Sequence, residues 1–197
     1  MLEGQVPIPM LPPIETDRTF LRLLRREDAR DYHALETDAE VKQSLGGPSK
    51  MSVQAYEARI AQGAPGLATT LAVTRKSNGQ FLGRCGFTEY RESGETVGWE
   101  INIVLGLQCP KKQGYATEIG RALISRGFET LGCDTILGVV DSANTASCRL
   151  CEKLGMTYNR DTTRHGRTAR IYTIEKPAQF VRCGEPPVGS RTIPRSS

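Results

Sequence analysis

Residues 111–118 read Lys-Lys-Gln-Gly-Tyr-Ala-Thr-Glu, between a strand-like apolar run and a run with helical spacing. The first amides of a helix have no intrahelical acceptor, and the helix dipole adds partial positive charge at that end. A glycine there lets the backbone approach a ligand closely, and Lys111 and Lys112 add charge, so the stretch suits a phosphate. No Gly-Lys-Ser/Thr follows, so it is not a P-loop, and it is not a dinucleotide fingerprint with a later ribose-binding acid. The same residues also fit an ordinary helix start with solvated lysines.

Other candidate groups carry less. Six cysteines (85, 109, 133, 148, 151 and 183) show no framework spacing, and the pair Cys148 and Cys151 lacks a second pair. With two histidines in the chain, no zinc site is expected. Reduced thiols are the ordinary state of a cytoplasmic protein, the expected location. His33, on a helix with apolar neighbours, reads as structural.

The chain has 197 residues, 38% hydrophobic and 24% charged, as expected of one soluble globular domain. The net charge of +4 favours anionic partners only weakly, because part of the excess lies at Arg182, Arg191 and Arg195. No stretch approaches the roughly 18 to 20 apolar residues of a membrane span, and the N-terminus lacks a signal-peptide pattern. Only Arg160 to Arg170 offers clustered basic residues, and it reads as strand-turn-strand around Gly166 bordering a pocket. No nucleic-acid partner is expected.

The elements that must hold these residues follow from periodicity. Proline-rich residues 1–13 predict a flexible leader, 14–176 a single domain, and 177–197 a flexible tail. Residues 19–24 alternate like a strand, and residues 28–38 place Ala29, Tyr32, His33, Ala34 and Leu35 largely on one helical face. Residues 51–63 predict a helix capped by Ser52 and stopped by Gly63. Residues 71–90 predict a hairpin with a two-residue primed turn at Asn78-Gly79. A strand over 96–107, a helix over 114–131 and a strand over 135–140 predict a parallel β-α-β unit. A helix from Asn144, stopped by Gly155, and two closing strands near 156–162 and 168–175 complete an α/β (α+β) fold with a mixed sheet.

Two motifs then coincide. Lys111 to Ala116 resembles the acetyl-CoA loop of the GCN5-related N-acetyltransferase (GNAT) superfamily, [Q/R]xxGx[G/A], with lysine in the leading place. About 30 residues on, Asn144, Ser147, Lys153 and Gly155 match NxxSxxxxxKxGF except for its final aromatic, here Met156. The opening Thr16 to Val41 and Gly114 to Glu118 resemble the Rim-type branch, which acetylates ribosomal-protein N-termini. The likeness covers roughly residues 15–175 and implies a mostly antiparallel sheet splayed between its fourth and fifth strands.

The resemblance implies direct acetyl transfer from acetyl-CoA, without a metal, to a primary amine on a protein N-terminus or a small molecule. It places pyrophosphate on the amides of Gln113, Gly114, Tyr115 and Ala116, beside Lys111, Lys112 and Thr117, and the pantetheine along the 96–107 strand. Asn144 caps its helix in one reading and touches the coenzyme, with Ser147, in the other. Glu100, 14 residues before the loop glycine, matches the catalytic glutamate of histone-acetylating members; alternatively it is a surface residue of a strand that points Trp99, Ile101 and Ile103 inward. The amide of Val104 or Leu105 would stabilise developing oxyanion charge. Many members protonate the leaving thiolate with a tyrosine seven residues beyond the motif asparagine; here that place is Cys151, and Tyr115, Tyr158 and Tyr172 are substitutes. This departure leaves open a catalytically silent acyl-CoA-binding or protein-interaction module. Dimers are common in the superfamily, so a homodimer is admissible.

Overall fold

The computed structural model describes residues 10–39, 41, 51–64 and 66–178. Eight strands form one sheet: β1 (Ile14–Glu15), β2 (Thr19–Leu23), β3 (Thr70–Arg75), β4 (Phe81–Glu92), β5 (Glu95–Leu105), β6 (Thr135–Asp141), β7 (Thr157–Arg164) and β8 (Arg167–Glu175). Among the described residues it is flanked by α1 (Ala29–Thr37), α2 (Val53–Ala61), α3 (Tyr115–Thr130) and α4 (Thr145–Lys153). The spatial order is β1-β2-β3-β4-β5-β6-β8-β7, and every neighbouring pair is antiparallel except β5 with β6. This is the mixed α/β architecture that the alternation of strand and helix patterns predicts.

The main core lies between the sheet and α3. Ile119, Leu123 and Phe128 are at most 1% exposed and pack with Cys85 and Phe87 of β4 and Ile136 of β6. With Gly120, Ile124 and Gly127, also buried, they recur at steps of three and four residues and form a broad buried face of α3. Odd-numbered residues of β5, from Trp99 to Leu105, pack on this same core. Its even-numbered residues therefore face the other side, because strand side chains alternate. A smaller cluster around Ala29, Tyr32 and Tyr56 joins α1 to α2, and Arg84 of β4 pairs with Glu36 of α1. His33 lies edge-on to Tyr56, a packing role.

Most predicted elements form close to their expected ends. Ser52 caps α2 by accepting from the Ala55 amide, and Gly63 follows at φ +58°. The Asn78-Gly79 turn is corrected. Gly79 has φ +73° but Asn78 is not left-handed, and the loop closes through Arg75 N to Gln80 O. A primed two-residue turn needs positive φ at both places. Those turns occur at Ser93-Gly94 (51° and 85°) and His165-Gly166 (51° and 73°). Leu11, within the expected leader, is fully buried and its amide donates to Ala68 O. Residues 1–9 and 179–197 lie outside the described residues, with Cys183 among them.

Candidate functional site

The parallel pairing of β5 with β6 is short. It comprises Trp99 with Ile136 and Glu100 with Leu137, after which the strands part. Beyond that point β5 still pairs with β4 through Leu105, and β6 with β8 through Asp141. Residues 101–105 therefore offer one unpaired backbone edge to a cleft of about 570 Å3. Residues 138–141 of β6 form the other wall, with Asn144, Ser147 and Cys151 of α4 beside them. The β7–β8 turn, from Arg164 to Thr168, closes a third side, and Val41 reaches it from beyond α1.

The direction of each β5 amide follows from pairing. Gly106 donates its amide to Leu82 O, with Leu105 opposite Gly83. Antiparallel strands alternate their hydrogen-bonding edges residue by residue, so Val104 also turns its amide toward β4. Leu105 and Ile103 turn theirs into the cleft. Of the two oxyanion candidates, Leu105 is thus the one whose N–H is aimed there.

Beyond the end of β5 the chain runs to the N-terminus of α3, whose Gly114 lines a separate shallow depression with Thr117 and Glu118. Gly114 is the N-cap of α3 with φ +81°, no side chain caps the helix, and its first helical bond is Glu118 N to Gly114 O at 3.0 Å. The amides of Tyr115, Ala116 and Thr117 precede that bond and point out of the helix end. Lys112 also has positive φ (61°), so the chain turns sharply just before the helix. Lys111, Lys112 and Gln113 are exposed. Tyr115 points the other way, 7% exposed in the core under the Arg18 guanidinium, 4.1 Å from its ring centre. It can contribute its amide to this site, whereas its side chain builds the floor.

A network unseen in the sequence fixes this loop. Glu118 accepts from Thr16 Oγ1 (2.6 Å), the Arg18 amide (2.9 Å) and Arg18 Nε (2.7 Å). Arg18 Nη1 also donates to Gln113 O at 2.9 Å. Burial pushes the Glu118 carboxyl up, but bonds from Thr16 and Arg18 outweigh it and hold the group below its ordinary value. Thr117 lies on this side, in a shallow surface depression with Arg121 and Lys153.

Glu100 is 3% exposed, which removes the surface reading. Its oxygens accept from Arg164 Nη1 (2.6 Å) and Nη2 (2.8 Å). The Arg164 guanidinium is raised by those bonds above its already high ordinary value and stays charged. The reach from β7 to β5 arises because β7 curls over the β4–β5 hairpin: Arg160 pairs with Glu92, and Thr162 meets Tyr90. Asp141 pairs with Arg167 across the same turn, at 2.8 Å.

Asn144 accepts from the Ser147 amide at 3.1 Å, so its carbonyl oxygen caps α4 while the residue lines the cleft. Cys151 lines it too, 6% exposed, its thiol pushed up to about 12 by burial. A thiol so high surrenders its proton less readily than an ordinary one near 8.5. That weakens its case as the acid. The tyrosines stand elsewhere: Tyr158 is exposed on β7 and bonded to Asp161, and Tyr172 is buried on β8 beside Cys148. His165, overlooked in the sequence, lines the cleft, and its signal was the His-Gly pair in a basic hairpin. Among the described residues no group of three His, Cys, Asp or Glu side chains could hold a metal ion, and no helix is long and apolar enough to cross a membrane.

Comparison with known proteins accords with this geometry. The family model "Acetyltransferase (GNAT) domain" matches residues 18–157, and the chain belongs to that family. It is an N-acetyltransferase. A relative named an uncharacterized N-acetyltransferase, YoaA from Bacillus subtilis, is 30% identical over 156 residues, 74% of this chain and 83% of that one. A GNAT-family acetyltransferase from Bacillus anthracis superposes with a TM-score of 0.67 at 22% identity, covering 83% of this chain and 98% of the other. The aminoglycoside acetyltransferase AAC(6')-Ib, solved with ribostamycin and coenzyme A, superposes at 0.65 with 17% identity, covering 83% and 96%.

Proposed function

We propose that the chain transfers the acetyl group of acetyl-CoA directly to a primary amine, on a protein N-terminus or a small molecule. The observation that carries this reading is the open β5 edge from Ile101 to Leu105, followed in the chain by the uncapped helix start at Gly114. An extended amide-bearing arm can add to such an edge as a strand would. A diphosphate fits outward-pointing amides at a helix N-terminus with lysines nearby. AAC(6')-Ib, which shares the fold, was solved with coenzyme A.

When bound, acetyl-CoA supplies the thioester. The chain's own groups then divide the work. The amides of Gln113 to Ala116 hold the diphosphate, assisted by Lys111, Lys112 and Thr117, and Asn144 and Ser147 flank the arm. The Leu105 amide faces charge developing on the acyl oxygen. Glu100 has a second lone pair on each oxygen and takes the acceptor's proton, directly or through one water. The amine nitrogen bonds to the acyl carbon, the carbon–sulfur bond breaks, and the leaving thiolate takes a proton from solvent or from Cys151. The Rim-type motif favours a protein N-terminus among the acceptors.

A thiol-release assay over an amine panel, run beside thermal unfolding with acetyl-CoA, tests this. The expected outcome is a raised melting temperature together with one thiol released per amide formed. Stabilisation without turnover on any amine would instead identify a silent acyl-CoA-binding module.

A further inference from the structure

Both carboxylates that line the cleft among the described residues are paired with arginines, and in both pairs the arginine is the exposed partner. The Glu100 side chain is 4% exposed against 42% for Arg164; Asp141 is 18% against 48% for Arg167. What the cleft presents to an entering molecule on this side is therefore guanidinium. The two pairs are not incidental surface contacts. They anchor opposite ends of the His165-Gly166 turn, one to each of the two parting strands. A polycationic amine entering here meets positive charge with no unpaired carboxylate to receive it.

From this we infer that the acceptor carries an anionic group, a carboxylate or phosphate, a few bonds from its reacting amine, and that Arg164 and Arg167 bind it. This rests on the acetyl-transfer reading and specifies its acceptor. Arg164 uses one N–H of each Nη on Glu100, and a guanidinium has five donors in a planar fork. Its remaining edge can bond a second anion while the first pair persists. An anion held there places a nearby amine beside Glu100, the proposed proton acceptor. Arg164 and Arg167 thus act as specificity determinants for the acceptor, distinct from the coenzyme loop at Gly114.

The test uses two matched acceptor sets that differ only in charge. One is γ-aminobutyrate, its amino-alcohol analogue and putrescine; the other is the amidated dipeptides Ser-Glu, Ser-Gln and Ser-Lys. Each is assayed for kcat/KM and titrated calorimetrically into the coenzyme-loaded protein. The anionic member is expected to exceed the neutral one by about tenfold in at least one set, with the cation last. Arg167→Gln should erase most of that preference while lowering the neutral member less than twofold. Arg164→Lys, which keeps a charge beside Glu100, should weaken the anion's KM more than kcat. A cationic or neutral preference in both sets overturns the inference. So does an equal loss for all members in both variants, or absence of turnover and binding for every probe with the coenzyme bound. Failure of coenzyme binding itself would overturn the acetyltransferase reading beneath it. An anion preference for the phosphonate analogue of γ-aminobutyrate over the carboxylate supports the inference and assigns the group as phosphate-like.

Discussion

Arg18 and Glu118, 100 residues apart, are joined by both backbone and side chain. The Arg18 amide and Nε each donate to a different Glu118 oxygen, and Arg18 also holds the Gln113 carbonyl. The first strand turn is thereby fastened to the loop that leads into α3. Glu118→Gln keeps the shape but loses the charge, and should cost about 1 to 3 kcal/mol of stability. Because the fastening sets the loop amides, coenzyme affinity should fall about tenfold, with kcat less affected. Urea unfolding and calorimetry read the two effects separately.

The same carboxylate gives a pH dependence. Its folded value lies below the unfolded one, so its contribution is complete above the unfolded value of 4.5 and disappears as pH falls through the folded value. Coenzyme affinity of the unsubstituted protein should decline below that range more steeply than that of Glu118→Gln. Parallel declines would remove Glu118 as the cause.

Buried thiols act in the opposite direction. Burial pushes Cys85 and Cys151 up to about 12 and Cys133 to about 11. They remain protonated in the folded chain where the unfolded chain ionises, from the ordinary thiol value of about 8.5 upward. Stability from these groups is therefore full below that point and lost as pH rises toward their folded values. At pH near 8, iodoacetamide should modify Cys85 and Cys151 only after unfolding, since the thiolate is the reactive form. Mass spectrometry of labelled peptides checks this.

Glu100→Gln tests the proton acceptor. General-base groups contribute typically about 100-fold or more, so kcat should fall by at least that much with coenzyme affinity unchanged. Retention of full activity would transfer the role to a solvent chain.

Gly83 tests the backbone frame of the cleft. A Cβ there would lie 2.2 Å from Val104 O and 2.9 Å from Leu105 Cα. Gly83→Ala should cost about 3 kcal/mol, by forcing β4 away from the strand that forms the open edge. Gly79→Ala meets nothing within 4 Å and should cost only about 1 kcal/mol, from its positive φ. Thermal unfolding compares them.

How far the sequence was legible depends on the range of each interaction. The β5-α3-β6 unit could be read because helix and strand periods are local and Gly114 marks the helix start. The primed turns could not be assigned from one favoured pair: Asn78-Gly79 has the preferred residues, yet Ser93-Gly94 and His165-Gly166 adopt the geometry because their flanking strands pair in that register. Glu100 was reached by counting from the loop, but its burial and its pairing with Arg164 depend on β7 curling across the sheet. The clasp of Glu118 by Thr16 and Arg18 is equally long-range, so no local pattern records it. Cys151 was found by its place in a motif, and only packing reveals how firmly its proton is held.

The central claim is that the α3 amides and the open β5 edge together hold acetyl-CoA. Backbone amide resonances of the isotopically labelled protein, followed during titration with coenzyme A, address it residue by residue. The expected result is saturable shifts at Gly114 to Thr117 and at Ile103 and Leu105, with Val104 changing less. Saturable binding whose shifts lie elsewhere, or no shift at millimolar coenzyme, would contradict it.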